Sequence, residues 1–97
     1  MGKKVSYPNI KVGNQYIYEE SLYSEGLDVI IFRAVVSILK DLSSNEYWKY
    51  VLRVDKWIGG VCDELPQGYK FESAMTKNKA LYSFVNKMGG NSFYSLV

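Results

Sequence analysis

A chain of 97 residues with 47% apolar side chains supports one domain around one modest core, and that composition excludes a disordered polymer. Twelve basic and ten acidic residues leave a net charge of +2, well short of the basic excess of dedicated nucleic-acid binders. With no histidine and the single cysteine Cys62, the chain lacks the commonest general base, the commonest transition-metal ligand and any intrachain disulfide.

Met1–Asn9 reads as a loose or partly docked arm, because Pro8 cannot donate to a ladder and Lys3 and Lys4 favour water. One domain then spans residues 10–97. Gly13-Asn14 predicts a turn into a strand from Gln15 to about Ser21. Ser24–Asp28 predicts a loop around Gly26 which, with Glu19 and Glu20, makes an acidic patch. Val29–Lys40, VIIFRAVVSILK, is β-branched and apolar, and Tyr47–Asp55 alternates bulky apolar with charged residues. The turn formers Asp41–Glu46 separate the two, so a long antiparallel hairpin is expected at the centre of the domain.

Side-chain alternation sorts the second strand cleanly. Trp48, Tyr50, Leu52 and Val54 share one face; Tyr47, Lys49, Val51, Arg53 and Asp55 share the other. Neither face of Val29–Leu39 is polar, so that strand is expected to be covered on both sides. Trp57–Pro66 breaks the alternation, Gly59-Gly60 permits positive φ, and Pro66 with Gly68 predicts a second turn. Tyr69–Ser73 reads as a short strand. Thr76 looks like the N-cap of a helix over 77–88, with Ala80, Leu81, Phe84, Val85 and Met88 on one face and Gly89-Gly90 as its stop. Ser92–Val97 predicts a final strand. The expected fold is therefore mainly β: a five-stranded antiparallel small barrel or bent sheet with one helix near the C-terminus.

Enzyme chemistry has little to stand on. Cys62 lies beside Asp63 and Glu64, whose charges disfavour a thiolate, and it has no histidine partner. Glu19 and Glu20 are adjacent in a strand and point to opposite faces. The glycine pairs lack phosphate-loop spacing, and no loop carries a cation motif. No catalytic residue, metal ligand or cofactor is expected. The lone cysteine fits a reducing cytoplasm. Met1–Asn9 lacks the apolar centre of a secretory leader, and Val29–Leu39, interrupted by Arg33, is far shorter than the roughly 20 residues that span a bilayer. No membrane partner is expected.

Binding has better candidates. Arg33, Lys49 and Arg53 fall on the outer face of the hairpin, with Tyr47 nearby and Lys56 and Trp57 at its end. Cations interleaved with aromatics suit a nucleic-acid platform, whereas charge on an outward sheet face also serves solubility alone. Tyr16, Tyr18, Tyr23 and Trp57 suit an aromatic groove for a peptide, with core packing as the competing account for Tyr16 and Tyr18. The apolar surface of Val29–Leu39 exceeds what one small helix covers, which points to a homodimer as a third arrangement.

Val12-Gly13 before Tyr16 and Tyr18, then Arg33–Ile38, Asp41, Tyr47–Tyr50 and Leu52–Val54, together resemble the SH3-like (Src-homology-3-like) small barrels, a group that includes Tudor-like and KOW-like domains. The likeness covers roughly residues 12–73. The chain departs from the pattern in lacking an ALYDY-type motif and in placing a full helix where the family keeps a tight turn. The resemblance implies a binding module and leaves its ligand open. The functional expectation is a small protein-interaction or inhibitor protein, of the kind phages and mobile elements encode; the alternative is a nucleic-acid-binding barrel.

Overall fold

The computed structural model describes residues 2–78 and 89–97, with Ser24 described by its backbone alone. Six antiparallel strands form one sheet: β1 (Lys4–Val5), β2 (Gln15–Ser24), β3 (Leu27–Asp41), β4 (Tyr47–Gly60), β5 (Lys70–Thr76) and β6 (Gly89–Tyr94). Their spatial order is β1-β6-β2-β3-β4-β5, with a 3₁₀ turn at Tyr7–Asn9 after the first strand.

The expected central hairpin is β3–β4, and its turn chemistry explains the register. Asp41 Oδ1 accepts the Ser43 N–H at 2.9 Å, and Ser43 Oγ accepts the Lys49 N–H at 3.0 Å. Ser44 Oγ accepts the N–H groups of both Glu46 and Tyr47 at 3.2 Å. Short polar side chains thus take over donors that the ladder cannot pair around the five-residue connection Leu42–Glu46. The β2–β3 connection is tighter than the loop expected over Ser24–Asp28. Ser24 pairs with Leu27, and Glu25 and Gly26 both carry positive φ, 52° and 81°. Two central residues with φ above zero match the twist of the flanking strands.

The sheet curls. Tyr18 on β2 and Phe71 on β5 lie three strand steps apart, which is roughly 14 Å in a flat sheet. Their ring centroids are 5.3 Å apart. Tyr50 on β4 and Phe93 on β6, also three steps apart, approach to 6.4 Å. The concave face holds the core: Tyr16, Tyr18, Phe32, Ala34, Val36, Ile38, Tyr50, Leu52, Val54, Met75 and Phe93, joined by Tyr7 and Ile10 from the N-terminal segment. The Tyr50 hydroxyl donates to the Tyr7 carbonyl at 2.8 Å, fastening that segment across the strands.

Several expectations are corrected. The sheet has six strands rather than five, because Lys4-Val5 pairs with Phe93-Tyr94. It is an open sheet: no ladder joins β5 to β6 among the described residues, and the Asn91 side chain reaches the Ala74 carbonyl at 3.4 Å instead. β4 continues through Gly60, where irregular chain was expected. β6 begins at Gly89 rather than Ser92; Gly89-Gly90, expected to stop a helix, pair with Leu22 and Ser21. Glycine pairs mark close backbone approach in strands as well as helix ends. The expected helix over 77–88 lies outside the described residues from position 79 on. Lys77 and Asn78 are non-helical, although Thr76 Oγ1 accepts the Asn78 N–H at 3.2 Å, the contact an N-cap would make.

The bulges of β4 make the two adjacent glycines inequivalent. A Cβ at Gly60 would meet the Ile31 carbonyl oxygen and Phe32 Cα within 2.5 Å, whereas a Cβ at Gly59 enters open space. Gly60→Ala is expected to cost about 3 kcal/mol in urea unfolding, as overpacking against backbone does. Gly59→Ala is expected to stay within about 0.5 kcal/mol of wild type; equal effects at both positions would refute this strand geometry.

Candidate functional site

Two bulges in β4 decide where its side chains point. Val36 pairs with Val54 and Val35 with Lys56, so Asp55 is an extra residue; Ala34 pairs with Trp57 and Arg33 with Gly59, so Ile58 is another. Strict alternation would put Trp57 on the convex face with Asp55. The first bulge rotates it inward instead, and its ring stacks on Phe32 at 5.3 Å and 16°.

Arg33, Lys49 and Arg53 do lie together on the convex face, but each has a carboxylate. Arg33 Nε meets Glu19 Oε2 at 2.8 Å from the paired strand position. Lys49 Nζ meets Glu72 Oε1 at 3.1 Å on β5, and Arg53 Nε meets Asp55 Oδ1 at 2.9 Å. Lys56 and Tyr47 are exposed. Tyr16 and Tyr18 are buried in the core, and the Tyr16 hydroxyl accepts the Lys11 N–H at 3.1 Å. Burial, reinforced by the Glu20 charge, pushes the Tyr18 phenol far above its usual range, so it stays protonated and donates to Glu20 Oε1 at 3.1 Å. Tyr23 is exposed near the β2–β3 turn, far from those two along the strand. The expected aromatic groove is therefore not assembled, and of the expected outer-face cations Arg33, Lys49 and Arg53 are ion-paired while Lys56 has no ion-pair partner among the described residues.

Asp55 is the most heavily bonded group of that row. Ser37 Oγ and Gln15 Nε2 donate to Oδ2, the latter at 2.8 Å, and Arg53 Nη2 also donates to Ser37 Oγ at 3.2 Å. Partial burial alone would raise its carboxyl; the hydrogen bonds from Ser37, Arg53 and Gln15 and the Arg53 charge outweigh it and lower the pKa.

A second grouping emerges at the end of the sheet formed by the β2–β3 turn and the end of β4. Leu22, Tyr23 and Leu27 are exposed on the hairpin, and Ile58 and Val61 on the neighbouring chain; Leu27 and Val61 keep 68% and 73% of their surface. The Val61 N–H donates to the Ile31 carbonyl at 3.0 Å, tying the two groups of residues together. Glu25 and Asp28 on the hairpin and Asp63 just after Cys62 are exposed there, and none has an ion-pair partner among the described residues, whereas Glu64 lies beside Asp55, Lys56 and Trp57. Between the strands, Ile30, Arg33, Ile58, Gly59 and Gly60 line a cleft of about 300 Å³. Lys11, Lys40 and Lys77 lie at the opposite end, near the Asp41–Glu46 turn, where Lys77 Nζ sits 3.9 Å over the Trp48 ring. The hairpin end thus gathers acids without cation partners among the described residues, whereas at the opposite end Lys77 and Lys40 sit among Asp41 and Glu46.

The sequence located the convex cations and the acidic patch at Ser24–Asp28, but not the meeting of that patch with Ile58 and Val61 at this end. Its two halves are remote in the chain, and the signals available were the apolar start of β3 and the run Ile58-Gly59-Gly60-Val61 followed by Asp63-Glu64. Cys62 is exposed, and no cluster of metal-ligating side chains occurs among the described residues. No helix there is long and apolar enough to cross a membrane. No family model, curated protein or solved structure matches the chain.

Because the Asp55 carboxyl is lowered in the folded state, its contribution is complete above the ordinary value of 3.8 and is lost as pH falls through the lowered value. Asp55→Asn is expected to reduce stability at pH 7 by about 1–2 kcal/mol and to flatten the acid limb between about pH 5 and 2. Urea midpoints across that range check it; an acid limb as steep as wild type would refute the assignment.

Proposed function

We propose that this chain is a non-enzymatic protein-interaction module, an inhibitor or adaptor, that docks the acidic, apolar end of its sheet onto a partner with a basic rim. The observation that carries this reading is the coincidence, at one end of the fold, of five exposed apolar side chains with Glu25, Asp28 and Asp63, three carboxylates without an ion-pair partner among the described residues. Exposed apolar clusters rimmed by polar groups mark interaction sites, and rim charge selects and steers the partner.

Two further observations support it over the alternatives. Arg33, Lys49 and Arg53 are already paired with Glu19, Glu72 and Asp55, which leaves Lys40, Lys56 and Lys70 as the convex cations without an ion-pair partner among the described residues, a small excess beside that of a dedicated phosphate binder. A homodimer through the acidic end would set Glu25, Asp28 and Asp63 of one copy against the same three of another, and like charges in an interface cost several kcal/mol.

Immobilised wild type and the Leu27→Ser/Val61→Ser double variant, probed with lysate from the source cells, test the reading. Both positions are exposed, so the variant is expected to fold normally. Wild type is expected to retain a stoichiometric protein partner and the variant to retain roughly tenfold less, as loss of apolar anchors requires. Equal retention by both, or no retention accompanied by nucleic-acid binding with a steep salt slope, would overturn it.

A further inference from the structure

The β2–β3 hairpin is longer than the strand that flanks it. The β3–β4 ladder ends where Phe32 pairs with Gly60, while β2–β3 pairing continues to Ser24–Leu27. Ile31 still offers its carbonyl to the N–H groups of Val61 and Cys62, after which the chain turns away. Leu27, Asp28, Val29 and Ile30 are therefore laddered to β2 on one side, and on the other side they have no backbone partner among the described residues.

This edge is regular. Ser21–Ile30, Leu22–Val29, Tyr23–Asp28 and Ser24–Leu27 pair without interruption, and the two-residue turn pins their register. Asp55–Gly60 of β4, likewise unladdered on its outer side among the described residues, carries both extra residues, and bulges spoil an edge as a template. Ile30 also belongs to the cleft of about 300 Å³ floored by Gly59 and Gly60 and walled by Ile58, so the edge leads into a pocket. Asp28 lies on the edge, Glu25 in the turn before it and Asp63 just past the Cys62 N–H that meets Ile31, and Arg33 at its margin is neutralised by Glu19.

We propose that the partner presents an extended segment, with lysine or arginine alternating with aliphatic residues, that adds as a strand to Leu27–Ile30 and seats one aliphatic side chain in the Ile30–Ile58–Gly59 cleft. Main-chain hydrogen bonds hold such a segment, and the pocket and the acidic rim select its side chains. The proposal rests on the docking reading above and specifies its mode. A strand of a second copy would carry the same acids and meet them.

The test uses a fluorescent octapeptide of alternating lysine and valine, the same peptide with every second amide N-methylated, and an alternating glutamate–valine control. Wild type is expected to bind the first about tenfold more tightly than either other peptide, and amide exchange at Leu27–Ile30 is expected to slow by about tenfold in saturating peptide. Gly59→Trp fills the cleft from a position with open space and ordinary φ, and is expected to weaken binding about tenfold while thermal unfolding stays near wild type. No measurable binding of the lysine–valine peptide, equal binding of its N-methylated form, or unchanged exchange at Leu27–Ile30 overturns strand addition. A cellular partner that depends on Leu27 and Val61 but ignores Gly59→Trp sinks this mode alone and leaves the docking reading standing.

Discussion

Everything in this fold depends on one ring. Phe93 is fully buried, and four tyrosine rings surround it: Tyr18 at 5.2 Å, Tyr7 at 5.5 Å, Tyr16 at 6.0 Å and Tyr50 at 6.4 Å, all edge-on. These tyrosines come from the N-terminal turn, β2 and β4, while Phe93 comes from β6. A sheet whose first and last strands are not laddered together needs some other reason to curl. Here side chains supply it, each aromatic pair adding about 0.5–1.5 kcal/mol beyond the area it buries. Tyrosine suits the task because its hydroxyl keeps a polar outlet, as the Tyr50 donation to the Tyr7 carbonyl and the Tyr16 acceptance from Lys11 show. Four of the nine tyrosines of this short chain are thereby a matter of architecture.

Curling has a consequence at the two ends of the sheet. Where the cluster is dense, the turns are capped and the N-terminal segment closes over the core. Away from it the β2–β3 hairpin extends past β4, and no layer covers its apolar residues among the described part of the chain. The bulges at Asp55 and Ile58 belong to the same design. The first turns Trp57 inward to stack on Phe32, and beyond the second the glycine pair lets Gly60 lie against Ile31. The interior is thus closed at the expense of an exposed, unevenly charged end, and recognition is the natural use for such an end.

The parts of the fold that were legible in the sequence are those governed by local rules. The β-branched run before Asp41–Glu46, the alternation of Tyr50, Leu52 and Val54 against Lys49 and Arg53, and the turn chemistry of Ser43 and Ser44 all follow from neighbours within a few residues. What was not legible depended on interruptions and on distance. Alternation assumes a strict period of two, so the extra residue at Asp55 moved Trp57 to the wrong face. Gly89-Gly90 reads equally as a helix stop and as a close-packed strand, and only the pairing with β2 decides. The neutralisation of Arg33 by Glu19 and of Lys49 by Glu72 joins residues on different strands, so the basic row looked free in one dimension and is paired in three. The acidic patch expected from Glu19, Glu20 and Ser24–Asp28 keeps only its turn residues, because Glu19 pairs with Arg33 and Glu20 accepts from Tyr18, and its tie to Val61 through Ile31 joins segments too distant for the sequence to show.

Phe93→Ala is the most direct measurement of the central claim, read by urea unfolding together with amide exchange in β1, β2 and β6. Removing the ring leaves four tyrosines facing a cavity, so the loss is expected to reach about 4 kcal/mol, with Lys4-Val5 and Ile17–Leu22 losing protection together. A loss below about 1 kcal/mol with protection unchanged in those strands would show that the curl is held by something else.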